Sequence, residues 1–317
     1  MSDHLRLRRF SSLSEPGHSD QLEVNLSCWL SYALLGAGGF TRLETTASGD
    51  YGGELARLWP ADDPDYEDGQ AWQSARQDWV WETGVVSART NQLADEQPSR
   101  ASGVWVDGAF YPRDTSGAYA HHFDYPRGRV VFDSAIPTSS VVRCAHTARR
   151  VHVTTADVDW WREVQFGSWR ADSPHLAAAS GGWAGGPSLQ LPCVVVEATP
   201  FSSRKGAQLG DGAVEVTQRV DCHVFAETRW DRKMLHDVLT AQWEKRILMF
   251  DRARLVSSGR APLDEDGDVS ASGTCYPDWV NSFPYRLMWV DRVEGVAYPD
   301  MPPLYHGTVR LYCRADV

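Results

Sequence analysis

Lysine is nearly missing from this chain. Only Lys205, Lys233 and Lys245 occur among its 31 basic residues, and the rest are arginines. Arginine presents a planar fork and stacks on aromatic rings, which suits polar protein–protein contacts; codon usage in a GC-rich genome produces the same bias. Positive net charge is missing too. The formal charge is −11, and a protein that grips phosphates carries the opposite balance. Tight nucleic-acid binding is thereby disfavoured, while DNA passing close by is not.

Long apolar runs are absent as well. No stretch approaches the roughly 20 residues of a membrane span. The start, Met1-Ser2-Asp3-His4, lacks the apolar segment of a secretory signal. The six cysteines (Cys28, Cys144, Cys193, Cys222, Cys275, Cys313) are scattered with no C-x-x-C pair. That pattern fits reduced, mostly buried thiols in a protein made in the cytoplasm, not a disulfide framework or a zinc site. Ser180 sits in Ala-Ser-Gly-Gly and lacks a nucleophile elbow. The acidic runs at 62–68 and 264–268 lack the calcium-loop spacing with its distant Glu. They read as solvated loops.

What the chain does contain is sheet. Residues 103–153 carry short apolar runs punctuated by Asp107-Gly108, Pro112-Arg113, Pro126-Arg127-Gly128 and Pro137-Thr138. This is a run of β-hairpins with no helical period. So much plain sheet builds a surface rather than an active site.

Around that region the pattern predicts a frame. Residues 1–18 are a polar, Arg-rich arm. A helix follows, with Asp20 and Glu23 as a capping box and Leu22, Leu26, Leu30, Ala33 and Leu34 on one face. Gly36, Gly38 and Gly39 end it. A short strand is expected over 40–46, a long loop over 47–78, and a β-rich region from Trp79 to about residue 166. The Gly/Ala/Ser-rich 168–188 reads as a linker. Beyond it, 191–198 is a buried strand and 213–227 alternates as a long half-exposed strand broken only by Gln218. Residues 231–245 turn helical, with Met234, Leu235, Val238, Leu239 and Gln242 as the stripe. Strands are expected at 247–250, 285–296 and 304–317, the last two around Pro302-Pro303. The fold class is α+β: a mixed or antiparallel sheet with helices on one face, carrying a large all-β insertion. Residues 1–45 and 175–317 form the frame; 46–174 form the insertion.

Candidate chemistry is thin. Cys144, His146 and His152 lie close together, but zinc needs about four convergent ligands. His121-His122 beside Asp124 point to opposite faces of a strand. Glu82, Asp157, Asp159 and Glu163 have no separation fixed by sequence, so a glycosidase pair is not indicated. His223 reads as a surface histidine. Fourteen tryptophans, Trp79, Trp81 and Trp160-Trp161 among them, allow a carbohydrate-binding module. Their dispersal favours anchors in a core or a subunit interface, where Trp and Arg concentrate. The candidate contact residues are Trp105, Tyr125, Arg219, His223, Trp230 and Trp243. No catalytic residue, cofactor or metal is expected.

Several segments together resemble the neck proteins of tailed bacteriophages, in particular the tail-terminator and tail-completion group. They are LPCVVVEA (191–198), the turn Gln208-Leu209-Gly210, VEVTQRVDCHVFAE (214–227), DRKMLHDVLTAQWEK (231–245) and ILMFD (247–251). DYPRGRVVFDSAIPTSSVV (124–142) is similar to β-modules of phage structural proteins. The resemblance spans 20–45 and 190–317 and rests on apolar strand patterns. It implies a non-enzymatic virion protein, assembled in the host cytoplasm as a homo-hexamer or other ring. Its partners would be tail tube, sheath and head-closure or connector proteins. DNA would pass through the lumen without specific binding, and no membrane is involved. A baseplate component and a carbohydrate- or receptor-binding β module are the alternatives, with an enzyme third.

Overall fold

Leu22, Leu26 and Leu30 recur at helical spacing, and they are the buried stripe of α1 (His18–Gly36). The computed structural model describes residues 17–43, 56–85, 97–157, 190–206, 214–258, 262–270, 275–297 and 304–316. Expectations for most of the 1–18 arm and for the 168–188 linker lie outside the described residues. So do those for Trp160-Trp161, Asp159, Glu163, Ser180, the 208–210 turn and Pro302-Pro303.

The start of α1 corrects the expected capping box. The N-cap is Gly17, with no side-chain cap. Asp20 therefore lies inside the first turn, where its charge suits the helix dipole. Glu23 turns away to accept the backbone N–H of Ala156 at 3.2 Å and of Ala198 at 2.9 Å. Burial pushes its carboxyl up, against those two hydrogen bonds. The helix ends as expected, with the N–H groups of Gly38 and Gly39 donating back to Leu35 and Leu34. Ala33 is exposed and Leu35 takes its place in the buried stripe. β1 (Phe40–Leu43) follows.

The region expected as one loop over 47–78 holds two strands, β2 (Arg57–Pro60) and β3 (Ala71–Ser74). Each has four residues, too few for alternation to register among neighbouring Gly, Asp and Pro. Leu58 and Trp72 bury from them. The hairpin region supplies β4 (Gly103–Val106), β5 (Ala109–Pro112), β6 (His121–Asp124), β7 (Arg129–Phe132) and β8 (Val142–Arg143). Together they form a seven-stranded antiparallel sheet, β5-β4-β8-β2-β3-β7-β6. The Pro126-Arg127-Gly128 turn needs its glycine. Gly128 has φ +65°, and a Cβ there would sit 2.4 Å from the Arg76 carbonyl. β9 (His146–Arg149) pairs with β1 in a two-stranded sheet and bridges from Ala148 to Trp79.

Trp72, Trp79, Phe123, Tyr125 and Phe132 centre the core of this sheet. Neither acidic run is simply solvated. Arg129 reaches Asp63 at 2.5 Å. Residues 262–270 fold back onto the seven-stranded sheet, with Leu263 and Val269 packed on its core. There Asp268 pairs with Arg113 and accepts the Phe123 N–H at 3.2 Å, while the Gly267 carbonyl accepts the Tyr125 N–H at 3.1 Å. Spacing within 264–268 carries no sign of a partner more than a hundred residues away.

The second sheet comprises β10 (His152–Thr155), β11 (Cys193–Gly206), β12 (Val214–Ala226), β13 (Arg246–Phe250), β14 (Pro284–Ala297) and β15 (Tyr305–Asp316). Their order is β10-β11-β12-β15-β14-β13, with only β10–β11 parallel. Val216, Val220, Cys222 and Val224 point inward from β12 as the alternation predicts. Gln218 is buried among them and satisfied: its Nε2 donates to Ser19 Oγ at 2.7 Å and to the Thr199 carbonyl at 3.1 Å.

Thr228 caps α2 (Arg229–Thr240) by accepting the Asp231 N–H. Leu235 and Leu239 join the α1 leucines in one cluster with Val194, Val220 and Leu311. Both helices thus cover the same face of the sheet. The expected α2 stripe is only partly buried, because Met234 is exposed and Val238 half-buried. Gly295 lets α2 approach β14, since a Cβ there would lie 2.3 Å from the His236 ring.

The short helices α3 (Arg252–Ser257) and α4 (Tyr276–Ser282) complete the elements of the described residues. The edge strand β13 is guarded. Asn25 of α1 accepts the Phe250 N–H at 2.7 Å and donates to the Phe250 carbonyl at 3.0 Å, and Tyr276 donates to the Leu248 carbonyl. These side chains occupy groups that would otherwise template strand addition. Among the described residues no helix is long and apolar enough to cross a membrane.

Candidate interaction surface

Because α1 and α2 share one face of the six-stranded sheet, alternation sends the other residues of its long strands to the opposite face. There the register sets Glu197, Asp221, Arg310 and Glu294 in one cross-strand row, and Arg219, Tyr312 and Arg292 in the next. Side chains tie the rows together. Arg219 Nε lies 3.0 Å from Asp221 Oδ1, and the Tyr312 hydroxyl donates to Glu294 at 3.0 Å. Arg292 pairs with Glu294 and lies over the Tyr312 ring, and Arg314 covers Trp289 while reaching Asp291 at 3.1 Å. Charge of both signs is held in place at defined positions. Such a surface confers specificity more than raw affinity.

His223 sits in this lattice between Thr308 and Glu197, at 3.1 Å from each. Its Nε2–H donates to the carboxylate, which leaves Nδ1 to accept the Thr308 hydroxyl. Burial lowers the His223 pKa against the raising effect of Glu197, and burial raises that of Asp221. The order hydroxyl, imidazole, carboxylate is that of a hydrolase triad. Thr308, however, is only 1% exposed, so its oxygen is closed to a substrate and the three groups serve as a strand ladder.

A second feature lies beside α2. A groove of about 770 Å³ runs between the end of α1, residues 75–77, residues 190–192 and α2. Its floor is apolar, with Leu34, Val151, Leu191 and Leu235. Glu227, Asp231, Arg76 and Arg150 line it as well. Met234 and Val238 line it, which is why the expected α2 stripe is not all buried. Trp230 at its mouth is 75% exposed.

The six expected contact residues therefore separate. Arg219 and His223 share the polar lattice. Trp230 marks the groove. Trp243 is exposed at the sheet rim, its indole N–H donating to the Asp291 carbonyl at 3.1 Å. Trp105 lies on the distant β4–β5 hairpin, half-exposed and packed against Phe110 at 5.2 Å. Tyr125 is corrected: it is fully buried against Trp79 and Phe123 and presents nothing to a partner. Sequence reasoning missed Glu197, Thr308, Arg310 and Tyr312. The signal was available in the 304–317 strand, where His306, Thr308, Arg310, Tyr312 and Arg314 alternate with Gly307, Val309, Leu311 and Cys313.

Cys144, His146 and His152 do not converge. Cys144 Sγ donates to the Gly103 carbonyl, and His152 pairs with Asp78 at 2.8 Å. His146 stacks on Trp79 at 4.1 Å, donates from Nδ1 to the Cys144 carbonyl, and accepts the Ser74 hydroxyl at Nε2. Among the described residues no group of three or more His, Cys, Asp or Glu could hold a metal ion. Comparison with protein-family models and with curated proteins gives no match.

The buried His146 has a measurable consequence. Burial lowers its pKa from 6.5 to about 4. Above pH 6.5 the ring is neutral whether the chain is folded or unfolded. As pH falls from 6.5 towards 4, only the unfolded chain takes the proton, so stability falls by up to about 3 kcal/mol in that window. Denaturant titrations at pH 7.5 and 4.5 should show this loss. His146→Gln should remove its own share and leave that of His306, which burial also lowers to about 4; an unchanged pH dependence in that variant would assign the loss to other groups.

Proposed function

We propose that this chain is a non-enzymatic structural protein of a tailed-phage neck. It would assemble as a ring that ends the tail tube and joins tail to head. The observation that carries this reading is the six-stranded sheet: helices cover one face, and the other holds a fixed lattice of both charges, a surface made for a protein neighbour. The segments that resemble tail-terminator and tail-completion proteins supply this frame. In this reading the seven-stranded sheet is an insertion that meets a second protein, such as sheath, collar or head-closure ring. The net charge of −11 suits a lumen through which DNA slides, because clustered cations would hold its phosphates. Native mass measurement and electron imaging should find rings that cap tail-tube ends. A strict monomer that ignores tube protein would end this reading.

One observation favours a second reading. Trp105 and Phe110 form an exposed aromatic pair on the β4–β5 hairpin, and aromatic faces stack on sugar rings. A carbohydrate- or receptor-binding module would give glycan-array signals that Trp105→Ala abolishes.

A further inference from the structure

The outer stripe of α2 and the groove beside it lie together, and we infer that they form a two-fold contact with a second copy of this chain. The contact is pairwise and does not rest on the ring reading above.

α2 carries more apolar residues than its sheet can cover. Leu235 and Leu239 bury in the core. Trp230, Met234 and Val238 recur at every fourth residue, so they form a second stripe along the helix. Trp230 is 75% exposed and Met234 38%. All three line the groove, next to the apolar Leu34 and Leu191. A large exposed aromatic beside an apolar hollow of about 770 Å³ is the knob and the hole of an interface on one patch.

Charge selects the occupant. Four charged residues line the groove: Glu227 and Asp231 at the start of α2, Arg76 just after β3 and Arg150 just after β9. A cationic segment would meet the two arginines, and an anionic one the two carboxylates. A second copy brings both signs. A two-fold axis lying across α2 runs the two helices antiparallel and makes the contact isologous, each patch serving as knob and hole at once. Centred near Met234, it sets Trp230 of each copy against the partner's Val238 and groove. The outer flank of α2 obeys the same symmetry. Lys233 and Asp237 are both exposed, and at a spacing of four residues they share one side of the helix. Reversing the second helix places each lysine opposite the partner's Asp237. Pairs of this kind fix register and partner choice.

The experiment uses the full chain. Analytical ultracentrifugation should show a monomer–dimer equilibrium. Trp230→Ala, an exposed change that leaves the core untouched, should raise the dissociation constant on the order of thirtyfold. The charges supply a test that only self-pairing passes. Lys233→Asp leaves two aspartates on that flank, and Asp237→Lys leaves two lysines, so each variant alone should associate about tenfold more weakly. Mixing the two variants restores opposite charges across the axis. With one of them labelled with ¹⁵N, native mass spectrometry should find mixed dimers in excess of either self-pair. Association unchanged in all three variants would place the contact elsewhere and overturn the inference, while the ring reading would stand. Mixing that recovers nothing would overturn the two-fold arrangement. A chain that is monomeric at every concentration would overturn this inference and the ring reading alike.

Discussion

Replacing Arg149 with Met is expected to destabilise the protein by about 3–5 kcal/mol, one of the two largest single effects in the molecule. The guanidinium is almost fully buried. It reaches both oxygens of Glu82 at 2.7 Å and Asp78 Oδ1 at 3.1 Å, and it lies over the Trp81 ring at 4.9 Å. Burial alone would raise the Asp78 carboxyl and lower the Arg149 pKa. The ion pairs more than offset it, so Asp78 stays below its ordinary value and Arg149 above its own. The Asp78 carbonyl also accepts the Arg149 N–H, from a backbone at φ +53° that Asp tolerates better than most residues. Met fills the space of the stem but leaves buried Glu82 without its cation and Asp78 with His152 as its remaining partner. Arg149→Lys keeps the charge but not the fork, and should retain little of the stability. Adding Asp78→Asn and Glu82→Gln to Arg149→Met removes the orphaned charges and should recover a large part of the loss in urea unfolding. A loss below about 1 kcal/mol for Arg149→Met would show that the pair is screened like a surface bridge.

That cluster shows where sequence reading stops. Long, regular elements were legible: α1, β12, β14 and β15 fall within about two residues of their expected positions, because burial on one side imposes a period that repeats, whereas β11 runs to Gly206, well past its expected end, and α2 stops at Thr240, short of its own. The hairpins were legible from their turn residues, as at Asp107-Gly108. What escaped is whatever joins distant residues. Arg149, Asp78 and Glu82 are separated by 71 and 67 positions, and nothing local marks Arg149 as different from the exposed Arg150 beside it. Asn25 looks like one polar residue on a helix, yet it completes the edge of β13, 225 positions away. Asp268 reads as one more acidic loop residue until Arg113 and the Phe123 N–H are found against it. The candidate surfaces divide the same way. The polar side of β12 was visible as alternation. Its matching rows on β14 and β15 required the register, and the groove required the packing of α2 against residues from four parts of the chain.

Trp79→Ala is the second large effect, with an expected loss of about 3–5 kcal/mol. The indole is completely buried, and its N–H donates to the Arg76 carbonyl at 2.9 Å. His146 stacks on one face, and Phe123 and Tyr125 lie at ring separations of 6.4 Å. Alanine removes the partner of all three rings and opens a cavity that a sheet of two- and four-residue strands closes poorly. The loss should be local. The six-stranded sheet keeps its own core of α1 and α2 leucines on β11, β12 and β15, and that cluster is separate from the Trp79 cluster. Hydrogen exchange should therefore rise across 57–143 and at 262–270, which is docked there, while 214–250 stays protected. On the proposed reading this separates two activities: Trp79→Ala chains still assemble into rings but lose the second protein that the seven-stranded sheet contacts. Uniform loss of protection through both sheets would mean that the two cores unfold as one unit, and the seven-stranded sheet would then be part of the frame rather than an insertion upon it.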